Sequence, residues 1–447
     1  MIIYCIGYLT SFLLAQAGWD IPSGLVLIGT AVWMYWQDYQ RSGNLIHLRG
    51  LFFLGFTGGQ GVSCLKLSRL QTPWSWMTWF CFFAAALAFY IGFSLTDDRA
   101  IGRWDAGNFS RNFKNEPSAT LRTTNLGRQR TKAIADSGGL LIGIVGITAI
   151  SLAAFVLEAA VLGYIPFFTR GVPHAYSYFH ITGVHYFTVS CVLVPPLAVL
   201  FYLGKPRASK GEKITAAIAA AISLLIPVLC VSRFQLIFAV GLSAFSYVSV
   251  KRTIPLAAAA GLAGAMIPVY VILTIARSHD VAYLNGIFEM KNSSMPIFIT
   301  QPYMYIANNY DNFNCLVEQL PSHTFGLRML FPLWALTGLK FLYPSLVSFP
   351  IYVTKEELTT VTLLYDAYYD FGAVGVIVFA AALGGVCGYL VKQLKHMQNP
   401  AGFILYAQIA MYMALSFFTT WFSNPTTWFY LAATGAVWVL CEVVHRR

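Results

Sequence analysis

Long apolar runs separated by short polar segments dominate the chain. Twelve of them, most roughly 16 to 23 residues long, approach or reach the length that a helix needs to cross a bilayer. The runs cover approximately residues 1–17, 22–37, 50–66, 76–95, 139–161, 184–203, 214–231, 234–250, 254–275, 362–391, 401–421 and 426–442. The pattern predicts an all-α, polytopic integral membrane protein with about twelve transmembrane helices.

Composition agrees with that prediction. Hydrophobic residues make up 57% of the 447 positions and charged residues only 11%, which is more apolar surface than a soluble chain of this length can bury. The eight cysteines are scattered singly, without the close spacing of a metal site. We therefore expect them to be packing residues, with a metal or disulfide role as the alternative, and we expect no bound metal.

The basic residues indicate the orientation of the helices. With an inside N-terminus, 20 of the 29 Lys and Arg residues fall in the six segments that would face the cytoplasm. These segments are 38–49, 96–138, 204–213, 251–253, 392–400 and 443–447. Each of them is basic, as the positive-inside rule requires. We expect both termini to be cytoplasmic, and the net charge of +11 then reflects membrane sidedness rather than nucleic-acid binding.

Three parts of the chain follow from this topology. Residues 1–275 hold the first nine spans and the basic cytoplasmic loop 96–138, and residues 362–447 hold the last three. Between them lies one large extracytoplasmic loop, 276–361. Apolar periodicity near 296–318 and 326–348 predicts amphipathic helices on the outer face within that loop.

The stretch YIANNYDNFN, residues 305 to 314, is unusually polar for such a chain. Its amides and carboxylate can bond sugar hydroxyls in pairs, and its aromatic rings can stack on sugar faces. We expect it to line a glycan path; the alternative is that the amides cap and solvate a surface helix. The candidate glycan-binding residues are Asn308, Asn309, Tyr310, Asp311 and Asn312.

Three arginines lie on the expected outer side, where the positive-inside rule disfavours them. Arg233 occupies a tight hairpin between two spans, Arg277 ends the ninth span, and Arg170 lies in an outside loop. Such residues either extend to the interface or hold an anion. A guanidinium matches phosphate geometry, so a lipid-linked diphosphate is the expected ligand.

Four short motifs carry a resemblance to a known family. They are the hairpin VSRFQLIFAV, the loop IPFFTRG, the loop motif YIANNYDNF followed by HTFG, and TLLYDAYYDFGAVGVIVFAAALGGVCGYL. In this order and on this side of the membrane, they resemble the Wzy-type polymerases of O-antigen, capsule and exopolysaccharide. The topological resemblance covers nearly the whole chain.

That resemblance implies a GT-C-like glycosyltransferase of the bacterial cytoplasmic (inner) membrane. It would transfer a growing glycan from undecaprenyl diphosphate to a new lipid-linked repeat unit at the outer face, without a cofactor. A chain-length regulator and a flippase are possible partners. Arg233 and Arg277 match the family's diphosphate-binding arginines by position, Arg170 is a third candidate, and Arg328 is added for its proximity.

The transfer also needs a base for the acceptor hydroxyl. The expected catalytic residues are His323 and Asp370, with Asp366 one helical turn before Asp370. As alternatives, Asp370 is a helix-surface acid paired with an arginine, and His323 caps a loop. An O-antigen ligase would share the loop and the arginines. A polysaccharide or lipid transporter is less favoured, because the chain shows no internal repeat.

Overall fold

The computed structural model describes residues 1–96, 138–169, 175–255, 257–258, 260–262, 264, 266, 281–394 and 396–445. Every regular element within them is a helix, and strand pairing is limited to one bridge between Ser68 and Met290. The all-α prediction is confirmed for this part of the chain. Most of the basic loop 96–138 lies outside the described residues.

The N-terminal part contains eleven α-helices in the described residues. They are α1 (Ile2–Gln16), α2 (Asp20–Ser42), α3 (Leu48–Phe52), α4 (Gly58–Cys64), α5 (Trp76–Thr96), α6 (Gly139–Leu162), α7 (Ala175–Tyr178), α8 (His185–Val189), α9 (Val194–Gly204), α10 (Lys210–Leu229) and α11 (Arg233–Lys251). A π-helical turn, Phe53–Thr57, joins α3 to α4. The 3₁₀ segments Pro166–Phe168 and Ser190–Leu193 precede α7 and α9.

The loop and C-terminal part contain seven more α-helices. They are α12 (Val281–Phe288), α13 (Ile297–Gln319), α14 (Phe331–Leu336), α15 (Leu339–Leu342), α16 (Tyr365–Gln393), α17 (Pro400–Ala414) and α18 (Pro425–His445). Single 3₁₀ turns follow α15, at Pro344–Leu346, and α17, at Trp421–Ser423.

Seven helical segments of the described chain are long and apolar enough to cross a membrane. They are Trp76–Thr96, Gly139–Leu162, His185–Gly204, Lys210–Leu229, Arg233–Lys251, Tyr365–Gln393 and Pro425–Val444. Two shorter apolar helices are Ile2–Gln16 and Pro400–Ala414. Eleven of the twelve predicted runs coincide with helices, and the ninth run, 254–275, lies mostly outside the described residues. A polytopic membrane protein is confirmed, and the number of twelve spans stays a prediction.

Close packing of α5 against α16 forms the centre of the helical assembly. A Cβ at Gly92 would lie 2.0 Å from the Ala381 carbonyl oxygen, and one at Gly384 would lie 2.1 Å from the Phe89 oxygen. Small residues allow membrane helices to approach in this way, without help from hydrophobic burial. The hydroxyl of Thr96 donates to the carbonyl of Gly385 at 3.0 Å, closing the contact.

Three of the connections predicted to face outside meet at one end of the assembly, here called the loop end and formed by residues 65–75, 281–364 and 415–424. Ser68 Oγ donates to the Phe288 carbonyl at 2.6 Å, and the Leu363 amide donates to the Ser416 carbonyl at 3.0 Å. These contacts agree with the predicted alternation of helix directions. The side of the membrane on which this end lies stays a prediction.

The two helices predicted in the large loop differ in outcome. The prediction near 296–318 corresponds closely to α13, Ile297–Gln319. The segment near 326–348 is broken instead into α14, α15 and a 3₁₀ turn, and Gly338 takes a left-handed φ of 76° between the two helices. Helix α13 is also more deeply buried than an interfacial helix, and the partners of its polar residues account for this.

Candidate functional site

The polar residues between positions 308 and 314 of α13 lie in the protein interior. The five predicted glycan-binding side chains are each at most 2% exposed: Asn308, Asn309, Tyr310, Asp311 and Asn312. Asn308 and Asn312 lie on the same face of the helix, and Asn308 Nδ2 donates to Asn312 Oδ1 at 3.2 Å. Buried amides and carboxylates need hydrogen-bond partners within the protein, so their surroundings determine what they can bind.

Asp311 joins α13 to the segment that follows α4. Its Oδ1 accepts from Lys66 Nζ at 2.6 Å and from Trp74 Nε1 at 2.7 Å. Its Oδ2 accepts from Gln71 Nε2 at 2.8 Å and from Ser63 Oγ at 3.1 Å. Both carboxylate oxygens are therefore fully used by protein donors.

The neighbouring residues donate hydrogen bonds to backbone carbonyls of the large loop and of the connection between α17 and α18. Asn309 Nδ2 donates to the Phe417 carbonyl at 2.7 Å, and Asn312 Nδ2 donates to the Leu358 carbonyl at 2.7 Å. The Tyr310 hydroxyl donates to a backbone carbonyl of the π turn at 2.5 Å. A glycan could reach these atoms only by displacing such bonds. The glycan-binding assignment stays a prediction, and a structural junction accounts for every one of these contacts.

A cavity of about 360 Å³ opens at the loop end beside the start of α16. Its polar lining includes Arg328, Asp366, Thr420, Ser423 and Asn424. Its apolar lining comes mostly from the large loop: Leu327, Phe331, Leu346, Val347, Phe349 and Ile351. Two residues predicted from the sequence, Arg328 and Asp366, thus face the same space.

Arg328 is held in place with part of its guanidinium unused. Its Nε donates to Asp366 Oδ1 at 2.7 Å, and its guanidinium carbon lies 4.5 Å from the ring centroid of Tyr369. Burial opposes the charge, but the Asp366 carboxylate outweighs it and raises the pKa of Arg328 above its ordinary value. No group of the described chain hydrogen-bonds the two terminal nitrogens of Arg328 or the Oδ2 of Asp366.

Asp370 lies behind this pair and shapes the loop that carries Arg328. It is fully buried; its Oδ1 accepts from the Arg328 amide at 3.2 Å, and its Oδ2 accepts from the Met329 amide at 2.8 Å. The Thr324 hydroxyl also donates to Oδ1. Asp370 is thus an interior residue rather than a helix-surface acid, and it does not line the cavity. Its role as a base stays a prediction, and its contacts make it a positioning residue.

His323 lies outside the cavity, on the exposed side of the same loop. Its Nδ1 is 3.2 Å from the Tyr369 carbonyl oxygen, and its ring packs beside Gly372. Gly372 has a φ of 61° and a ψ of −150°, a conformation that favours glycine and kinks the start of α16. His323 therefore contacts the backbone behind the site, which matches the loop-capping alternative; its catalytic role stays a prediction.

The remaining predicted arginines are not brought into the Arg328 cavity. Arg233 is the first residue of α11, is 7% exposed, and does not line that cavity. The next residue, Phe234, stacks on Phe418 with ring centroids 5.0 Å apart, so α11 borders the segment that supplies part of the cavity floor. Arg170 and Arg277 lie outside the described residues.

The sequence analysis missed the contribution of the segment between α17 and α18. Thr420, Ser423 and Asn424 line the cavity from this connection. The available signal is the polar stretch TTWFSNPTT, residues 419 to 427, between the last two apolar runs.

Comparison with known proteins adds no relative. No protein-family model, curated protein or solved structure matches the chain.

Proposed function

We propose that the chain is a membrane glycosyltransferase that polymerises undecaprenyl-diphosphate-linked repeat units at the outer face of the cytoplasmic membrane. The observation that carries the proposal is the Arg328–Asp366 pair in the 360 Å³ cavity. Within the described residues, the cation has two nitrogens without a hydrogen-bond partner, which suits binding of an anionic leaving group, and the carboxylate has one such oxygen, which suits a proton acceptor.

Arg328 would bind the diphosphate. Its planar fork can give two parallel hydrogen bonds to phosphate oxygens, and the Asp366 contact at Nε leaves that fork free. As the anomeric C–O bond to the diphosphate breaks, the negative charge that develops on the leaving oxygen would be stabilised by the guanidinium. Arg233 and Arg277 keep the diphosphate role that the family resemblance implies, as further proposals.

Asp366 would act as the base. The Oδ1 of Asp366 holds Arg328. Its Oδ2 would take the proton of the acceptor hydroxyl while the oxygen of that hydroxyl bonds to the anomeric carbon. The hydroxyls and amide of Thr420, Ser423 and Asn424 offer hydrogen bonds to sugar oxygens in the same cavity.

The apolar wall supports a lipid-linked substrate. The segment that lines the cavity also exposes Phe325, Phe341 and Leu342, which are 77%, 65% and 73% accessible. Helix α14 packs against α18, a candidate membrane span. Large exposed apolar side chains beside a membrane helix suit contact with lipid, so a polyprenyl chain could lie along this surface while its diphosphate reaches Arg328.

The test is complementation of a strain that lacks the gene, followed by gel analysis of surface polysaccharide. Arg328→Gln should reduce polymerisation by at least about 10- to 100-fold, which is the effect of losing a single charge-assisted hydrogen bond, while the protein still inserts. Asp366→Asn retains an acceptor for Arg328 Nε, so it should lower kcat more than it raises KM for the lipid-linked substrate.

Arg207→Gln is the matched control, because it removes an exposed cation from the opposite end of the molecule. Loss of the polysaccharide ladder with single repeat units retained supports the polymerase. Loss of surface attachment alone supports the ligase, which would use the same leaving group and another acceptor. Normal chain lengths with Arg328→Gln would remove Arg328 from the proposed site.

A further inference from the structure

A second cavity, of about 350 Å³, lies at the loop end and takes no part in the proposed chemistry. It forms where the segment after α4 pairs with the residues that follow α12. Its lining includes Arg69, Asn285, Glu289 and Lys291.

Backbone pairing sets the side chains of this cavity. The Arg69 amide donates to the Glu289 carbonyl at 2.9 Å, and the Lys291 amide donates to the Leu67 carbonyl at 2.9 Å. Ser68, fully buried between them, fixes the register of the bridge. Arg69, Glu289 and Lys291, which flank this bridge, all line the cavity. The pairing uses their main-chain atoms only.

The charge of the cavity is positive. Lys355 Nζ lies 2.8 Å from Glu289 Oε1, so the one acidic group of the lining already has a counter-ion. Arg69 and Lys291 have no ion pair or side-chain hydrogen bond within the described chain. Two cations that are not paired with an acidic side chain favour binding of an anion, and Arg69 can give a bidentate contact to phosphate.

Asn285 adds an unfilled polar position. Asn285 lines the cavity, and its Oδ1 is buried with no hydrogen-bond partner in the described protein. Buried polar atoms of native proteins are almost always partnered. A side-chain amide both accepts and donates hydrogen bonds, so a ligand hydroxyl would supply the missing hydrogen bond of Asn285.

We propose that this second cavity binds the phosphate ester of a polyhydroxyl compound, with Arg69 and Lys291 on the phosphate and Asn285 on a hydroxyl. Two sources share that chemistry: the glycerol headgroup of an anionic phospholipid, and a sugar phosphate. The proposal goes beyond the function proposed for the Arg328 cavity and does not depend on it.

The test is calorimetric titration of the full-length protein, in neutral detergent at low ionic strength, with glycerol 3-phosphate. The protein used in this titration carries Arg328→Gln, so that phosphate binding in the first cavity is weakened. Adding Arg69→Gln and Lys291→Gln should weaken binding by at least about tenfold. Arg207→Gln with Lys210→Gln, exposed cations at the opposite end, should leave the affinity unchanged.

Asn285→Leu has a separate readout. It should abolish the preference for glycerol 3-phosphate over inorganic phosphate and retain phosphate binding. Competition by phosphatidylglycerol nanodiscs, but not by phosphatidylcholine nanodiscs, would assign the site to the lipid headgroup; absence of competition would assign it to a sugar phosphate. Two outcomes would overturn the proposal. One is equal affinity for glycerol 3-phosphate with and without the Arg69 and Lys291 substitutions, and the other is no binding by the folded Arg328→Gln protein.

Discussion

Replacing Asp311 by Asn tests whether the polar stretch of α13 is structural. The carboxylate is 2% exposed and accepts four hydrogen bonds, one of them from Lys66, which is itself 8% exposed. An amide keeps the shape but presents an NH₂ group where an oxygen stood. At the Oδ2 position this group would face Gln71 Nε2, a donor 2.8 Å away in the native protein.

The expected cost is large because the substitution strands a buried charge. Removing one partner of a buried ion pair costs about 3–5 kcal/mol, and each buried donor left without an acceptor costs about 1–3 kcal/mol. These effects overlap, so about 3–5 kcal/mol is the expected loss in the free energy of unfolding. Against a total stability of about 5–15 kcal/mol, this is a substantial fraction.

The assay is unfolding of the detergent-purified protein by heat and by denaturant. Glu318→Gln is the matched control, since it removes the same charge from an exposed position of α13 and should cost no more than about 0.5 kcal/mol. Lys66→Met in the Asp311→Asn background removes the stranded charge and should restore part of the loss. Wild-type stability of Asp311→Asn, combined with loss of glycan binding, would refute the structural role and favour the glycan-facing prediction.

Three further outcomes follow from local geometry. Gly384→Ala should lower the free energy of unfolding by about 2 kcal/mol or more, because its Cβ would lie 2.1 Å from a backbone oxygen of α5. Thermal unfolding measures this, and Gly146→Ala is the control, because a Cβ there meets open space on α6. Gly372→Ala should lower the free energy of unfolding by about 1–3 kcal/mol and displace His323, whose Nε2 would lie 3.0 Å from the new Cβ. The measurements are the unfolding temperature and the polymer yield, and both should fall. Burial raises the pKa of Cys315 to about 11. At pH 8 the alkylation rate of this thiol should therefore be about 100-fold lower than that of a thiol of ordinary pKa, and the rate should rise as the pH approaches 11. Mass spectrometry measures the extent of alkylation.

Helix positions were predictable because apolar length and the bilayer impose the same constraint. The runs 76–95 and 139–161 correspond to α5 and α6 within one or two residues at each end. The run 50–66 contains five glycines and folds as α3, a π turn and α4 instead of one regular helix. Hydropathy averages over a window, so it does not register a local change of helix type.

The candidate site was only partly predictable. Asp366 was recognised from its position at the expected outer end of a span, but its pairing with Arg328 depends on how the loop 323–329 folds. That fold is set by Asp370, whose oxygens accept two loop amides across about forty residues of sequence. Sequence spacing does not encode such a contact, and the polar connection between α17 and α18 was overlooked for the same reason.

Asp311 and Asp366 show what separates a structural group from a candidate reactive one in this protein. Asp311 and Asp366 both contact a basic side chain at the loop end, and composition alone does not distinguish them. Asp311 has both oxygens filled by four protein donors and lines neither of the two cavities described above. Asp366 has one oxygen filled, faces the 360 Å³ cavity, and holds an arginine whose terminal nitrogens no described group contacts. Hydrogen-bonding capacity left open toward a cavity is what a ligand can use. For this reason we propose that the chemistry lies at Arg328 and Asp366, and we assign to α13 a structural role, because its amides hold the segments that contain Leu358 and Phe417.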